Sequence, residues 1–228
     1  MNRKFVFSIE EFYHIYSRGV DKRVIFIDDN DYYRFIKLLW ICNHNDPIVY
    51  RDLIKNLPSH NVFDFSADQT LVDIGAYCLM PNHFHLLLYE KKEKGISIFM
   101  QKLLTSYSKY FNAKYHRTGT LYESVFKATH LDDDIYLQYI YAYINLNPVK
   151  LIFPKWKEES GNENFNNLKA KQFIEEYKYS SYQDHLGRNR EQSKIINQKP
   201  FPEYFEGKND FKEMFDFWLN YQEEEIVT

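Results

Sequence analysis

Two histidines one residue apart stand in the run Met80-Pro81-Asn82-His83-Phe84-His85-Leu86-Leu87-Leu88. In an extended strand successive side chains alternate faces, so His83 and His85 project from one face and Phe84 from the other. Two imidazoles held side by side can share one metal ion, with Phe84 and Leu86 to Leu88 anchoring the strand in a core. Paired histidines on a half-exposed strand often bind nothing, so the pair needs a second group to acquire chemistry. The segment Tyr139-Ile140-Tyr141-Ala142-Tyr143-Ile144-Asn145-Leu146-Asn147-Pro148 supplies one. Asp132, Asp133 and Asp134 precede it and suit a helix N-terminus, and Pro148 suits its end. At about 100° per residue, Leu137, Tyr141 and Ile144 form the apolar stripe of this helix, whereas Tyr136, Tyr139, Tyr143 and Asn147 fall on another side. Tyr143 and Asn147 are neighbours at i and i+4. Tyr141 and Asn145 share that spacing, but Tyr141 lies on the buried stripe, so Tyr143 with Asn147 is the functional pair.

These elements need a frame. A strand is predicted over Glu11–Val20, a helix over Asp28–His44, strands over Leu71–Leu79 and His83–Glu90 joined by a Pro-Asn turn, and a helix over Ile96–Tyr115. Gly119–Leu131 contains a further strand, and the tyrosine helix runs over Asp133–Asn147. Asp46–Asp68 is poorly periodic, with a short helix near Tyr50–Asn56. The order is the split βαβ plan: an α+β, ferredoxin-like antiparallel sheet with helices on one face. Residues 1–150 form the candidate catalytic domain. Residues 151–228 form an extension: a polar linker or loop over Lys157–Asn167, helices over Lys169–Tyr177 and Asp210–Gln222, and an acidic tail. Phe211, Met214, Phe215 and Trp218 give the last helix an apolar stripe that should dock on the domain or on a partner. No internal repeat is present.

The sequence resembles the single-tyrosine HUH transposases, most closely their REP-associated branch, from about Phe12 to Tyr182. The resemblance rests on ordered blocks: Tyr16-Ser17-Arg18-Gly19 followed by Ile25-Phe26; Tyr77 to His85; Arg117-Thr118-Gly119-Thr120-Leu121-Tyr122-Glu123; Tyr143-Ile144 with Asn147-Pro148-Val149; and Tyr179-Ser180-Ser181-Tyr182. Asparagine is more usual than Ser17, tryptophan more usual than Tyr122, and arginine is frequent at the position of Val125. The resemblance implies cleavage and rejoining of one DNA strand through a 5′-phosphotyrosine on Tyr143. A free tyrosine has a pKa of about 10 and is a weak nucleophile at neutral pH. A divalent ion held by His83, His85 and Asn147 would polarise the scissile phosphate. Three neutral ligands suit Mn²⁺, or Mg²⁺ recruited together with the DNA. The implied substrate is single-stranded or hairpin DNA, and the implied state a monomer or homodimer.

Composition sets the limits. The 228 residues, 44% hydrophobic and 27% charged, suit a globular domain with an appendage. No run approaches the roughly 18 apolar residues of a membrane span, and Met1-Asn2-Arg3-Lys4 lacks a secretory core after it. Cys42 and Cys78 read as reduced core thiols, which together with the rest points to a cytoplasmic protein. The net charge of −3 is unevenly placed: Phe201 to Thr228 holds eight acids and two bases, a net of −6, so residues 1–200 carry +3. Between Gln101 and His130, five bases face one acid. With Arg18 of the opening block, Lys102, Lys109, Arg117 and Lys127 are therefore the candidate DNA contacts. Aromatics at 18% could stack on unpaired bases, although AT-rich codon usage gives the same excess. A cupin-type metal site also uses a histidine-x-histidine strand, but it needs many strands and a further Glu and His, against the long helix here. A non-cutting nucleic-acid-binding protein on the same fold would be marked by loss of the tyrosine or of a histidine, and neither is lost.

Overall fold

Four strands hydrogen-bond in the order β2-β3-β1-β4, all antiparallel: β1 Phe12–Arg18, β2 Asp73–Met80, β3 His83–Tyr89 and β4 Lys127–His130. In this computed structural model residues 6–46, 50–57, 59, 61–65, 69–160, 165–202 and 208–221 are described. Two crossover connections, α1 Asp29–Cys42 and α3 Gly95–Lys114, link β1 to β2 and β3 to β4, which is the split βαβ plan. A short helix α2, Tyr50–Asn56, lies between α1 and β2.

Local chemistry sets these bounds. Asp28 caps α1 by accepting from the Asp31 N–H, and Asp31 reaches back to the Asp28 N–H to complete a capping box. The helices α1 and α3 pack one sheet face around Ile15, Phe84, Leu86, Phe35, Leu39, Phe99 and Tyr107. That face is closed by the residues alternating with the histidines.

The opposite face carries the tyrosine helix, α4 Asp134–Leu146, which lies over β2 and β3. Leu137, Tyr141 and Ile144 are buried there with Ala76, Cys78, Met80 and Leu87. Asp133 caps α4 by accepting from the Tyr136 N–H at 2.8 Å. The helix ends at Leu146, and a tighter 3₁₀ turn over Asn147–Leu151 carries Pro148 in its first positions.

The C-terminal part joins the same core. It contains α5 Trp156–Glu159, α6 Asn167–Glu176, α7 Tyr182–His185 and α8 Lys208–Asn220. Trp156, Ile174, Tyr182, Phe211, Phe215 and Trp218 are buried with α4 on this second face. The apolar stripe foreseen for the last helix therefore docks on the tyrosine helix. The chain over 179–181 and 196–197 also covers the β2 edge: Leu79 N–H donates to Tyr179 O, Ser181 N–H to Tyr77 O and Asn197 N–H to Ile74 O. Otherwise β2 would present a row of unpaired backbone groups. Part of the foreseen loop over 157–167 is the one-turn helix α5, residues 161–164 lie outside the described residues, and so does most of the acidic tail, 222–228.

Candidate active site

The site lies on the sheet face under the end of α4. Register decides which side chains meet. Across β1 and β3, Arg18 pairs with His83 and Tyr16 with His85, so these four share a face. His14, two residues before Tyr16, joins them. Its Nε2 and His85 Nδ1 share a hydrogen bond at 2.8 Å, with the rings 5.0 Å apart and nearly parallel. The His83 and His85 rings stand 5.0 Å apart at right angles. Asn82 Oδ1 accepts from His83 Nδ1 at 2.6 Å, which makes Nε2 the unprotonated nitrogen of the neutral His83 ring. With His85 Nδ1 as donor to His14, the same holds for His85.

Burial keeps these imidazoles neutral. It lowers His14 to about 4 and takes His85 well below the ordinary value, where the charges of His14, His83 and Lys150 push the same way. His83 also falls to about 4, through burial and then the positive charge of Lys150.

The end of α4 brings Tyr143 and Asn147 over the histidines. The Tyr143 ring stands 5.4 Å from that of His85 and 6.3 Å from that of His14, edge-on to both. Asn147 is fully buried beside His83, where its amide acts on the imidazole. Yet neither its Oδ1 nor its Nδ2 completes a hydrogen bond. Lys150, on the same side a turn further on, donates to Tyr143 Oη at 3.1 Å. Lys157 Nζ lies 4.9 Å from the Tyr143 ring and bonds Tyr139 Oη. Tyr141 points into the core, where its Oη and His185 Nδ1 share a hydrogen bond at 2.8 Å. Residues 32–147 match the family described as "Transposase IS200 like". The chain belongs to the IS200-like transposase family.

The solved structure of a REP-associated tyrosine transposase bound to a REP hairpin is similar to this family member over 82% of this chain and 86% of that one, at 12% identity and a TM-score of 0.48. No curated protein matches it.

The sequence-derived candidates fall into separate places. His83, His85, Tyr143 and Asn147 converge. Among the described residues no three or more histidine, cysteine, aspartate or glutamate side chains gather to hold a metal ion. The set foreseen here has only two such residues and draws its third donor from an amide. Two neutral imidazoles and a buried amide without a well-formed hydrogen bond are a donor set that fits a divalent ion.

Arg18 holds Glu123 at 3.0 Å at the open end of the sheet. Lys127 lies 3.6 Å from the same carboxylate. Lys109 lines a groove of about 1130 Å³ between α3 and residues 119–126, floored by Met100, Leu104, Leu121 and Phe126. Arg117 lies over the Phe111 ring, and one of its guanidinium nitrogens is buried with no partner. Lys102 is elsewhere: its ammonium is tied to His44 O and Asp46 O beyond the end of α1. No helix among the described residues is long and apolar enough to cross a membrane.

Sequence reasoning missed His14 and Lys150. His14 shares the period-two face of Tyr16 and Arg18, but only the β1–β3 register sets it against His85. Lys150 follows Tyr143 at i+7, a spacing that Pro148 hides.

Proposed function

We propose that this family member cuts and rejoins single-stranded or hairpin DNA by transesterification on Tyr143, in the manner of the REP-associated branch. The observation that carries this reading is the meeting of Tyr143, two neutral histidines and the buried Asn147 amide on one sheet face beneath the end of α4. The attacking oxygen must approach the phosphodiester in line with the departing 3′ oxygen. Tyr143 Oη forms the new bond to phosphorus, the P–O3′ bond breaks, and the chain retains a 5′-phosphotyrosine while a 3′-hydroxyl is released. Rejoining reverses the exchange, and no nucleotide cofactor is needed because the bond energy stays in the phosphotyrosine.

His83, His85 and Asn147 would hold a Mn²⁺ or Mg²⁺ ion, which supplies charge neutralisation at the phosphate when bound. His14 and Asn82 orient the two imidazoles from behind, so that the unprotonated nitrogens face the site. In this reading residues 1–150 are the catalytic unit and 151–228 an extension that buttresses α4. The groove beside α3, with Lys109 on its rim and Arg117 near its turn, supports binding of the structured part of the DNA, and Arg18 and Lys127 line the way from there to His83. Lys102, held by backbone carbonyls, makes the least of these contacts.

The test is a labelled hairpin with a single-stranded flank, incubated with Mn²⁺ or Mg²⁺ and run on a denaturing gel. Wild type should retain labelled DNA covalently, Tyr143→Phe should retain none, and Tyr141→Phe should behave as wild type. An adduct persisting in Tyr143→Phe assigns another nucleophile. A wild type that binds the hairpin without any adduct would make the chain a non-cutting binding protein.

A further inference from the structure

Among the described residues the Tyr143 oxygen has one side-chain partner, Lys150 Nζ at 3.1 Å. The same ammonium stands 4.8 Å from the centre of the Tyr143 ring, so it addresses both the oxygen and the ring face. Its position is built. Pro148 opens the 3₁₀ turn over Asn147–Leu151, Val149 is buried, and Val149 O accepts from the N–H groups of Ile152 and Phe153 at 3.0 and 2.8 Å. That anchored turn presents Lys150 to Tyr143. No carboxylate among the described residues pairs with this lysine, although it stands half-buried in a site of three imidazoles.

We propose that Lys150 is a catalytic residue, whose ammonium stabilises negative charge on the Tyr143 oxygen both as it attacks and as it leaves. This rests on the reading of Tyr143 as the nucleophile. In cleavage the Oη–H proton passes to solvent water as Oη bonds to phosphorus; the P–O3′ bond breaks, and the departing 3′ oxygen takes a proton from water. In rejoining the 3′-hydroxyl gives its proton to water as its oxygen bonds to phosphorus. The P–Oη bond breaks, its electron pair stays on Oη against the Lys150 ammonium, and Oη then takes a proton from water. Lys150 remains charged throughout. Its contribution is a preorganised donor aimed at the oxygen whose charge changes, a class of effect that mutagenesis commonly finds to be about a hundredfold or more in rate.

The experiment measures single-turnover adduct formation on the hairpin, and rejoining of isolated adduct to a strand with a free 3′-hydroxyl. Lys150→Met keeps the length of the side chain and removes the charge. It should slow both directions about a hundredfold, with thermal unfolding and hairpin affinity unchanged. Lys150→Arg should recover most of the rate, and ethylammonium added to Lys150→Ala should accelerate it above a sodium control of equal ionic strength. Lys150→Met within about threefold of wild type in both directions would overturn the proposal, as would failure of ethylammonium to rescue a folded, DNA-binding Lys150→Ala. Loss of hairpin affinity in proportion to the loss of rate would overturn it too, making Lys150 a phosphate contact. Adduct formation in wild type and its absence in Tyr143→Phe establish the nucleophile independently, so Lys150 can fail while that reading stands; if Tyr143→Phe keeps the adduct, both fail.

Discussion

Asn147 is the residue at which folding and chemistry conflict most openly. It is fully buried, and neither polar atom of its amide makes a well-formed hydrogen bond. Each unmet group of this kind costs about 1–3 kcal/mol, so a protein selected for stability alone would place an apolar side chain here. Asn147→Leu conserves the shape and removes the penalty. The variant should melt higher than wild type, by the equivalent of about 1–3 kcal/mol, while losing covalent adduct formation and calorimetric Mn²⁺ binding. A lower melting temperature would show that the amide is satisfied by the fold itself. Tyr141 offers the opposite case. Its hydroxyl serves a buried hydrogen bond to His185, so Tyr141→Phe should cost about 1 kcal/mol of stability and leave cleavage intact. Equilibrium unfolding beside the gel assay separates the two effects.

Individual elements were readable where the signal is local. Asp28 and Asp133 announced the starts of α1 and α4 and do cap them. Pro148 announced the end of α4, and alternation through His83-Phe84-His85 put Phe84 in the core and the histidines on the site face. What escaped depends on pairing across long sequence separations. The meeting of His14 with His85 spans 71 residues and needs the β1–β3 register. The cover on the β2 edge is another such case, since nothing local says that Tyr179 to Ser181 must lie along Tyr77 to Leu79. Lys102 reads as a basic-face residue, yet it spends its charge on two carbonyls outside its own helix. Gly75 is the sharpest of these non-local demands. It sits at the irregular register of β2, and a Cβ there would lie 2.4 Å from the Phe201 ring. Gly75→Val must displace that ring from Phe12 and the α4 face, and overpacking of this kind costs about 1–3 kcal/mol. Gly75→Val should therefore lower the urea midpoint, and Gly75→Val with Phe201→Ala should recover part of the loss. If the double variant is merely the sum of the two single ones, the contact is not the cause.

At the scale of the whole molecule, the unusual feature is how many imidazoles are held neutral by burial. His14 and His83 fall to about 4, His185 to about 3, and His85 well below the ordinary value. For His185 burial is the larger cause and the positive charge of Arg190 the smaller. The reference value for all four is 6.5. Unfolded chains therefore bind protons that the folded chain refuses, and stability falls as pH falls through the unfolded value. The loss continues until the folded value is reached, near 4 for His14 and His83 and near 3 for His185. Carboxylates act in a lower window. Burial raises Asp31, but its bonds to Lys114, Tyr115, the Ile27 N–H and Tyr110 outweigh that and hold it below its ordinary 3.8, so its contribution is lost only as pH falls below that value. Urea unfolding measured from about pH 7 to about pH 4 should thus weaken from near pH 6.5 downward, well before the carboxylates titrate. Each fully buried imidazole contributes a slope of about 1 kcal/mol per pH unit within its window. His185 lies away from Tyr143 against α8, so His185→Gln tests the assignment without touching the site. Its stability at neutral pH should drop with the loss of the Tyr141 contact, while the slope between about pH 6 and about pH 4.5 should flatten by one group's share. An unchanged slope would mean that His185 is already protonated in the folded protein, and that Arg190 and the aromatic wall around it do not exclude a second charge.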